Sequence, residues 1–147
     1  MKLLYTLVSN LFFFITPIYF RLRILKNKEH SNRFKEKLAI TKIKRGNGRI
    51  IWFHATSVGE IKSIIPLIEK FLNLNNINKI LITTTTLSSA EIVKKKFNNK
   101  KIIHQFLPLD INHIVKKFLN FWNPELAIFV DSEIWPNFIY EIKKKKN

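Results

Sequence analysis

The pattern of apolar and polar positions changes period several times along this chain. From Leu3 to Phe20, eighteen residues pass without a charge, and Leu11-Phe12-Phe13-Phe14-Ile15 leaves little room for a polar face. After Gly46-Asn47-Gly48, a turn signal, short apolar runs alternate with amphipathic stretches. Runs rich in β-branched and aromatic residues predict strands at Arg49–His54, Lys79–Thr84, Lys101–Leu107 and Leu126–Val130. The stretches between and after them predict helices at about Gly59–Leu72, Ser88–Phe97, Asn112–Phe121 and Pro136–Lys145. Ser88-Ser89-Ala90-Glu91 matches a capping box for the second of these, Asp110 is placed to cap the third, and Pro136 suits a first helical turn. Pro66 should kink the first or mark a late start. Four strand–helix units in succession predict an α/β fold with a Rossmann-like parallel sheet and right-handed crossovers.

The opening run sits at the lower end of the length that spans a bilayer. A cleaved signal peptide fits poorly, since only Lys2 precedes the run and Tyr19-Phe20-Arg21 follows it. A buried soluble helix stays open, but a membrane anchor fits best, spanning or lying in the interface. Arg21, Arg23, Lys26 and Lys28 would then hold the following side in the cytoplasm. The expected organisation is an anchor over 1–22, a basic juxtamembrane segment over 23–48 and the α/β domain over 49–147. Charge sharpens this. The chain of 147 residues carries a net charge of +16, and between Arg21 and Arg49 eleven Lys or Arg face only Glu29 and Glu36. Such a segment suits nucleic acid, acidic phospholipid or phosphorylated ligands, or is a solvated helix face. Because the excess lies beside an apolar run and no nucleic-acid-binding motif occurs, membrane phospholipid is the expected partner and nucleic acid is not. The chain has no cysteine, and its four histidines show no metal-ligand spacing, so no metal is expected.

No G-x-G-x-x-G follows a strand and no phosphate-binding P-loop occurs, so no nucleotide cofactor is expected. Candidate chemistry lies at the strand ends, where open α/β sheets bind ligands. The first strand delivers His54, Ser57, Gly59 and Glu60, with small residues that let a ligand approach the backbone. The second ends in Thr83-Thr84-Thr85-Thr86, and the fourth in Asp131-Ser132-Glu133 before Trp135-Pro136-Asn137. Carboxylates, hydroxyls and a Trp on one rim suit a polyhydroxylated substrate such as a sugar. Glu60 reads equally as a first-turn acid at a helix start and as a general base. The threonines read as β-propensity plus a turn, or as contacts, whereas Asp131 and Glu133, two acids so close at a buried strand end, lean toward function.

His54-Ala55-Thr56-Ser57-Val58-Gly59-Glu60, Pro66-Leu67-Ile68, the threonine run, Leu107-Pro108-Leu109-Asp110 and Asp131-Ser132-Glu133-Ile134-Trp135-Pro136-Asn137 together resemble the 3-deoxy-D-manno-octulosonic acid (Kdo) transferases of lipopolysaccharide assembly. The likeness extends to the apolar start ending in Arg21-Leu22-Arg23 and covers essentially the whole chain. It implies the N-terminal half of a GT-B glycosyltransferase, which moves Kdo from CMP-Kdo to the lipid A precursor with inversion, at the cytoplasmic face of the inner membrane. It also implies that Glu60 is the catalytic base, and that Ser57, Gly59, Thr84, Asp131 and Glu133 bind the acceptor or support the site. Two departures stand out: Asp131 replaces the family's usual Glu, and Ser88-Ser89 replaces its usual Thr-Gly. The donor-binding C-terminal domain of such enzymes would lie beyond Lys143-Lys144-Lys145-Lys146-Asn147, so the chain is expected to be a fragment or to act with a separate C-terminal half. The alternative is a non-catalytic, membrane-tethered domain that binds acidic lipid or a partner protein.

Overall fold

A computed structural model describes residues 2–130 and 135–146, with side chains for 5–130 and 135–145. The chain forms two compact units, one of residues 42–107 with 122–132, the other of residues 1–41 with 108–121 and 133–147.

The first unit is a parallel sheet with helices. Its strands are β1 (Ile50–His54), β2 (Lys79–Thr84), β3 (Ile102–Phe106) and β4 (Leu126–Phe129), in the order β3-β2-β1-β4. All pairings are parallel: Ile51 lies opposite both Ile80 and Leu126, and His54 opposite Thr83 and Phe129. This is the expected α/β arrangement, with each strand within two residues of its sequence-based bounds. Strand order reverses between β1 and β4, which makes their carboxyl ends a topological switch point.

The alternation of side chains along a strand sends Ile51, Phe53 and Ala55 to one face of the sheet, together with Ile80 and Ile82. Against them pack α2 (Val58–Leu72) and α3 (Leu87–Lys96). Ile61, Ile64 and Ile68 recur at three and four residues, forming one buried stripe on α2, and Val93 of α3 joins them. The helix α2 spans Val58–Leu72 with Pro66 inside it, so the proline does not mark a late start. On the opposite face, the Trp52 indole donates to the Thr83 hydroxyl at 2.8 Å, and the Trp122 indole donates to Gln105 Oε1 at 2.9 Å. These bonds satisfy two buried indole N–H groups that would otherwise destabilise the sheet. At the other end of the strands, Gly48 holds a left-handed φ of +99°, and a Cβ there would meet Asn78. Asn78 Oδ1 accepts from the Arg49 N–H at 2.8 Å, and Arg49 pairs with Glu125, tying the starts of β1, β2 and β4.

The cap of α3 differs from the sequence expectation. Its N-cap is Thr86, whose hydroxyl accepts from the Ser89 N–H, and not Ser88. Glu91 instead pairs with Lys95 one turn on, in water. The competing hydroxyls are resolved by Ser89, whose Oγ donates to the Thr56 carbonyl at 2.8 Å and draws the helix start two residues earlier.

In the second unit, α1 (Lys2–Leu25) is a single long helix containing Pro17, and Tyr5–Leu25 is long and apolar enough to cross a membrane. A 3-10 turn follows at Arg33–Leu38, then residues 112–121 of α4 (Asn112–Trp122) and α5 (Pro136–Lys146). Phe118 of α4 meets Phe138 of α5 with ring centroids 5.8 Å apart. The basic segment is less bare than its charge suggests. Buried Glu29 accepts from Lys37 Nζ at 2.7 Å and from Arg23 Nε at 3.3 Å, and Arg33 grips Glu36 with two bonds. Burial pushes the Lys37 ammonium below its ordinary range, against the pull of Glu29. Asp110 does not cap α4. Its carboxylate accepts from the backbone N–H groups of Asn137 and Phe138, at 3.1 and 3.0 Å, and so caps α5. Tyr5 donates to the same carboxylate at 2.8 Å.

Candidate active site

The carboxyl end of β1 builds the site. After His54 the backbone runs through Ala55 and Thr56 to Ser57, the N-cap of α2, in extended conformation. Ser57 Oγ accepts from the Glu60 N–H at 3.2 Å, and Glu60 reaches back: Oε1 accepts from the Ser57 N–H at 3.2 Å and Oε2 from the Thr56 N–H at 2.7 Å. The Ser-x-x-Glu spacing of Ser57 and Glu60 is thus a reciprocal capping box, a signal as readable in the sequence as the one at Ser88. Thr56 was absent from the sequence-based candidates, yet its N–H makes the shortest of these bonds. Glu60 is half-buried, and each carboxylate oxygen, holding one N–H, retains a further lone pair. The first turn of a helix also favours negative charge.

His54 lies behind this turn and is buried. Its Nδ1 is 3.1 Å from the Thr83 carbonyl, an atom that only accepts, so Nδ1 carries the proton and Nε2 is the bare nitrogen. The Thr56 hydroxyl lies 3.4 Å from Nε2. Burial pushes the imidazole pKa down to about 4, opposed by the Thr83 carbonyl and the Glu60 charge, so the ring is neutral at pH 7. The unfolded chain takes up this proton near pH 6.5, before the folded chain does. Stability is therefore fully present above pH 6.5 and falls as the pH drops toward 4, by about 3 kcal/mol in all. Urea midpoints at pH 7 and pH 4.5 check this: the drop should shrink in His54→Gln relative to the unaltered chain.

Gly59 sits on the exposed first turn, and a Cβ there would meet only Ser57 Oγ, at 3.9 Å. Neither packing nor backbone conformation requires glycine at that position. Thr84, by contrast, is fully buried, with its hydroxyl 2.9 Å from His104 Nε2 and its carbonyl accepting from the Leu107 N–H. The structure thus brings Ser57, Gly59 and Glu60 together on one turn at the switch point and sets Thr84 one strand away within the sheet. Asp131 and Glu133, with Ser132 and Ile134, lie outside the described residues. Among the described residues no group of three or more His, Cys, Asp or Glu is placed to hold a metal ion.

Comparison with known proteins adds to this geometry. The family model described as 3-deoxy-D-manno-octulosonic-acid transferase (kdotransferase) matches residues 32–147. A 3-deoxy-D-manno-octulosonic acid transferase of Rickettsia bellii is 41% identical over 138 residues, which cover 92% of this chain and 33% of the relative. A probable mitochondrial 3-deoxy-D-manno-octulosonic acid transferase of Arabidopsis thaliana is 36% identical over 138 residues, 92% of this chain and 31% of the relative. The Haemophilus influenzae transferase is 36% identical over 92 residues, 63% of this chain and 21% of its own length. The chain therefore spans about a third or less of the curated relatives it matches. No solved structure matches it.

Proposed function

The chain belongs to the 3-deoxy-D-manno-octulosonic-acid transferase family, and from that premise we propose that it provides the acceptor side of a transferase that moves Kdo from CMP-Kdo to the acylated disaccharide precursor of lipid A. The observation that carries this reading is the Ser57–Glu60 turn at the switch point of the sheet. A hydroxyl of the acceptor gives its proton to Glu60 as its oxygen bonds to the anomeric carbon of Kdo. The bond from that carbon to the CMP phosphate oxygen breaks, the electron pair leaves with CMP, and a single in-line displacement inverts the centre. The N–H groups of Thr56 and Ser57 fix the carboxylate's orientation, which a proton acceptor within hydrogen-bond reach requires. His54 is neutral at pH 7, and the start of α2 sets positive partial charge beside Glu60. CMP-Kdo is held by the family's C-terminal domain, so that domain, in the same or a separate chain, is the partner this reading needs. Asp131 and Glu133 remain proposed acceptor contacts, and Thr84 a proposed supporting residue on the second strand. The apolar helix α1 and the basic residues after it support a location at the cytoplasmic face of the inner membrane.

Gly59→Ala tests the reading. Alanine is the better helix former, so thermal stability should hold or rise by about 0.5–1 kcal/mol. Kdo transfer, assayed with the family's C-terminal domain present, should fall at least tenfold, because the new methyl stands where the acceptor approaches. Unchanged transfer would remove Gly59 from the acceptor site. A second reading, a membrane-tethered domain without catalysis, is favoured by one fact: both Glu60 oxygens already serve the capping box. Acceptor binding with no transfer by the assembled protein would select it.

A further inference from the structure

The two faces of α1 differ in what touches them, and the difference specifies how the helix meets a membrane. Leu7, Leu11, Phe14, Ile18, Leu22 and Leu25 are each between 52% and 77% exposed. At 100° per residue they fall within an arc of about 80°, and exposed Val8 and Ile15 widen it to about 120°, an apolar stripe running the length of the helix. The opposite face makes the contacts of α1 with its own unit, although Tyr5, Phe12, Phe13 and Tyr19 there stay partly exposed. Thr16 and Phe20 are almost fully buried, the Phe13 ring meets His113 at 4.9 Å, and Phe20 meets Phe34 at 5.5 Å. Charged groups hold both ends of that face: Asp110 accepts from Tyr5, and Glu29 accepts from Arg23 while also paired with Lys37.

Length alone permits a crossing, since 21 residues of helix reach about 30 Å. The side contacts do not. Tyr5 and Arg23 are about 27 Å apart along the axis, and a perpendicular helix that kept its partners would carry Asp110 or the Glu29–Lys37 pair across the hydrocarbon. Each charged side chain at mid-bilayer is disfavoured by at least about 2.5–3.5 kcal/mol. With the helix parallel to the surface, both charged ends stay at one depth, on the water side, and only the stripe enters the lipid.

We infer that α1 lies in the plane of one leaflet of an anionic bilayer, with the Leu7–Leu25 stripe among the acyl chains and the opposite face still packed on its own unit, and that it does not cross the membrane. The occupant of the stripe is lipid because charge accompanies it: exposed Arg21, Lys26 and Lys28 follow the stripe's last turns, each favourable by about 1 kcal/mol at an anionic surface. This rests on the proposed membrane location and specifies its mode.

The absence of native cysteine makes the test direct. Leu7→Cys, Leu11→Cys, Ile18→Cys and Leu25→Cys in the full chain, each carrying a nitroxide, are placed on vesicles containing phosphatidylglycerol. Power saturation with oxygen and a water-soluble nickel chelate then reads depth. In-plane binding gives one shared depth, within about 5–10 Å of the headgroup boundary. A progression through the bilayer midplane over about 27 Å would overturn the inference while leaving the membrane location standing. Four labels open to nickel would overturn both. Protection that is already complete without vesicles would overturn it in favour of contact between copies of the chain.

Discussion

With Glu60 as the proposed base, replacing it with Gln should lower Kdo transfer, assayed with the family's C-terminal domain present, by about 10²–10⁴-fold, the range a positioned general base supplies, while acceptor affinity changes little. Glutamine keeps the length of the side chain and one carbonyl oxygen. It can accept the Thr56 N–H or the Ser57 N–H, but its amide NH₂ then faces the other donor. A loss of about 1 kcal/mol in stability is therefore expected alongside the loss of rate. The two effects are separable. Glu60→Ala removes both bonds and should be less stable than Glu60→Gln, yet if Glu60 is the base the two variants should share the same residual rate. If transfer instead tracked stability across the pair, the residue would be a cap and nothing more. Transfer rates at saturating acceptor, set beside thermal midpoints, give both answers.

The second large effect is structural. Asp110→Ala should destabilise the unit built from α1, α4 and α5 by about 3–5 kcal/mol. The carboxylate is the acceptor for two backbone N–H groups of α5 and for the Tyr5 hydroxyl, and its backbone carbonyl takes the Asn137 amide at 2.6 Å. Removing the carboxylate leaves the buried N–H groups of Asn137 and Phe138 facing no acceptor, each worth about 1–3 kcal/mol, and takes the acceptor from the partly exposed Tyr5 hydroxyl, while the bond to the backbone carbonyl stays. Burial raises the Asp110 carboxyl above its ordinary range, and those hydrogen bonds pull it back. Asp110→Asn, which retains an acceptor oxygen, should recover part of the loss. Denaturant midpoints of the three proteins check the order, and equal midpoints for Asp110→Ala and the parent would refute the capping role.

Asp110 also marks where local reading of the chain stops. The strands are legible as short apolar runs, Ile50–His54 being buried at every position, and α2 is legible because one buried face imposes a period of 3.6, which Ile61, Ile64 and Ile68 carry. A cap chosen from sequence assumes that a side chain serves the helix it precedes. Asp110 serves α5, across an intervening helix, and no spacing rule contains that. Thr86 is a gentler case. Two hydroxyls compete at the start of α3, and a bond from Ser89 to Thr56, on another element, decides between them. The same holds for His54: its neutral state comes from burial, against the Thr83 carbonyl that strand register places opposite it. That Ser57, Gly59 and Glu60 share the turn after β1 is legible in the sequence. That Thr56 fixes the carboxylate is not, because a backbone N–H has no signature in the sequence.

The strand order has a consequence in time. β1 pairs with β2 on one edge, Ile51 opposite Ile80, so that edge can close as soon as the chain reaches β2. Its other edge waits for Leu126. During synthesis, a growing chain holding β1, β2 and β3 presents the Ile-Ile-Trp-Phe edge unpaired until β4 emerges, and the small loop-closure distance of the first pairing contrasts with the large one of the last. The strand that delivers Glu60 is thus the last in the sheet to have both its neighbours. Mutations that slow the arrival of β4 should show first as aggregation of nascent chains and only later as a loss of folded stability.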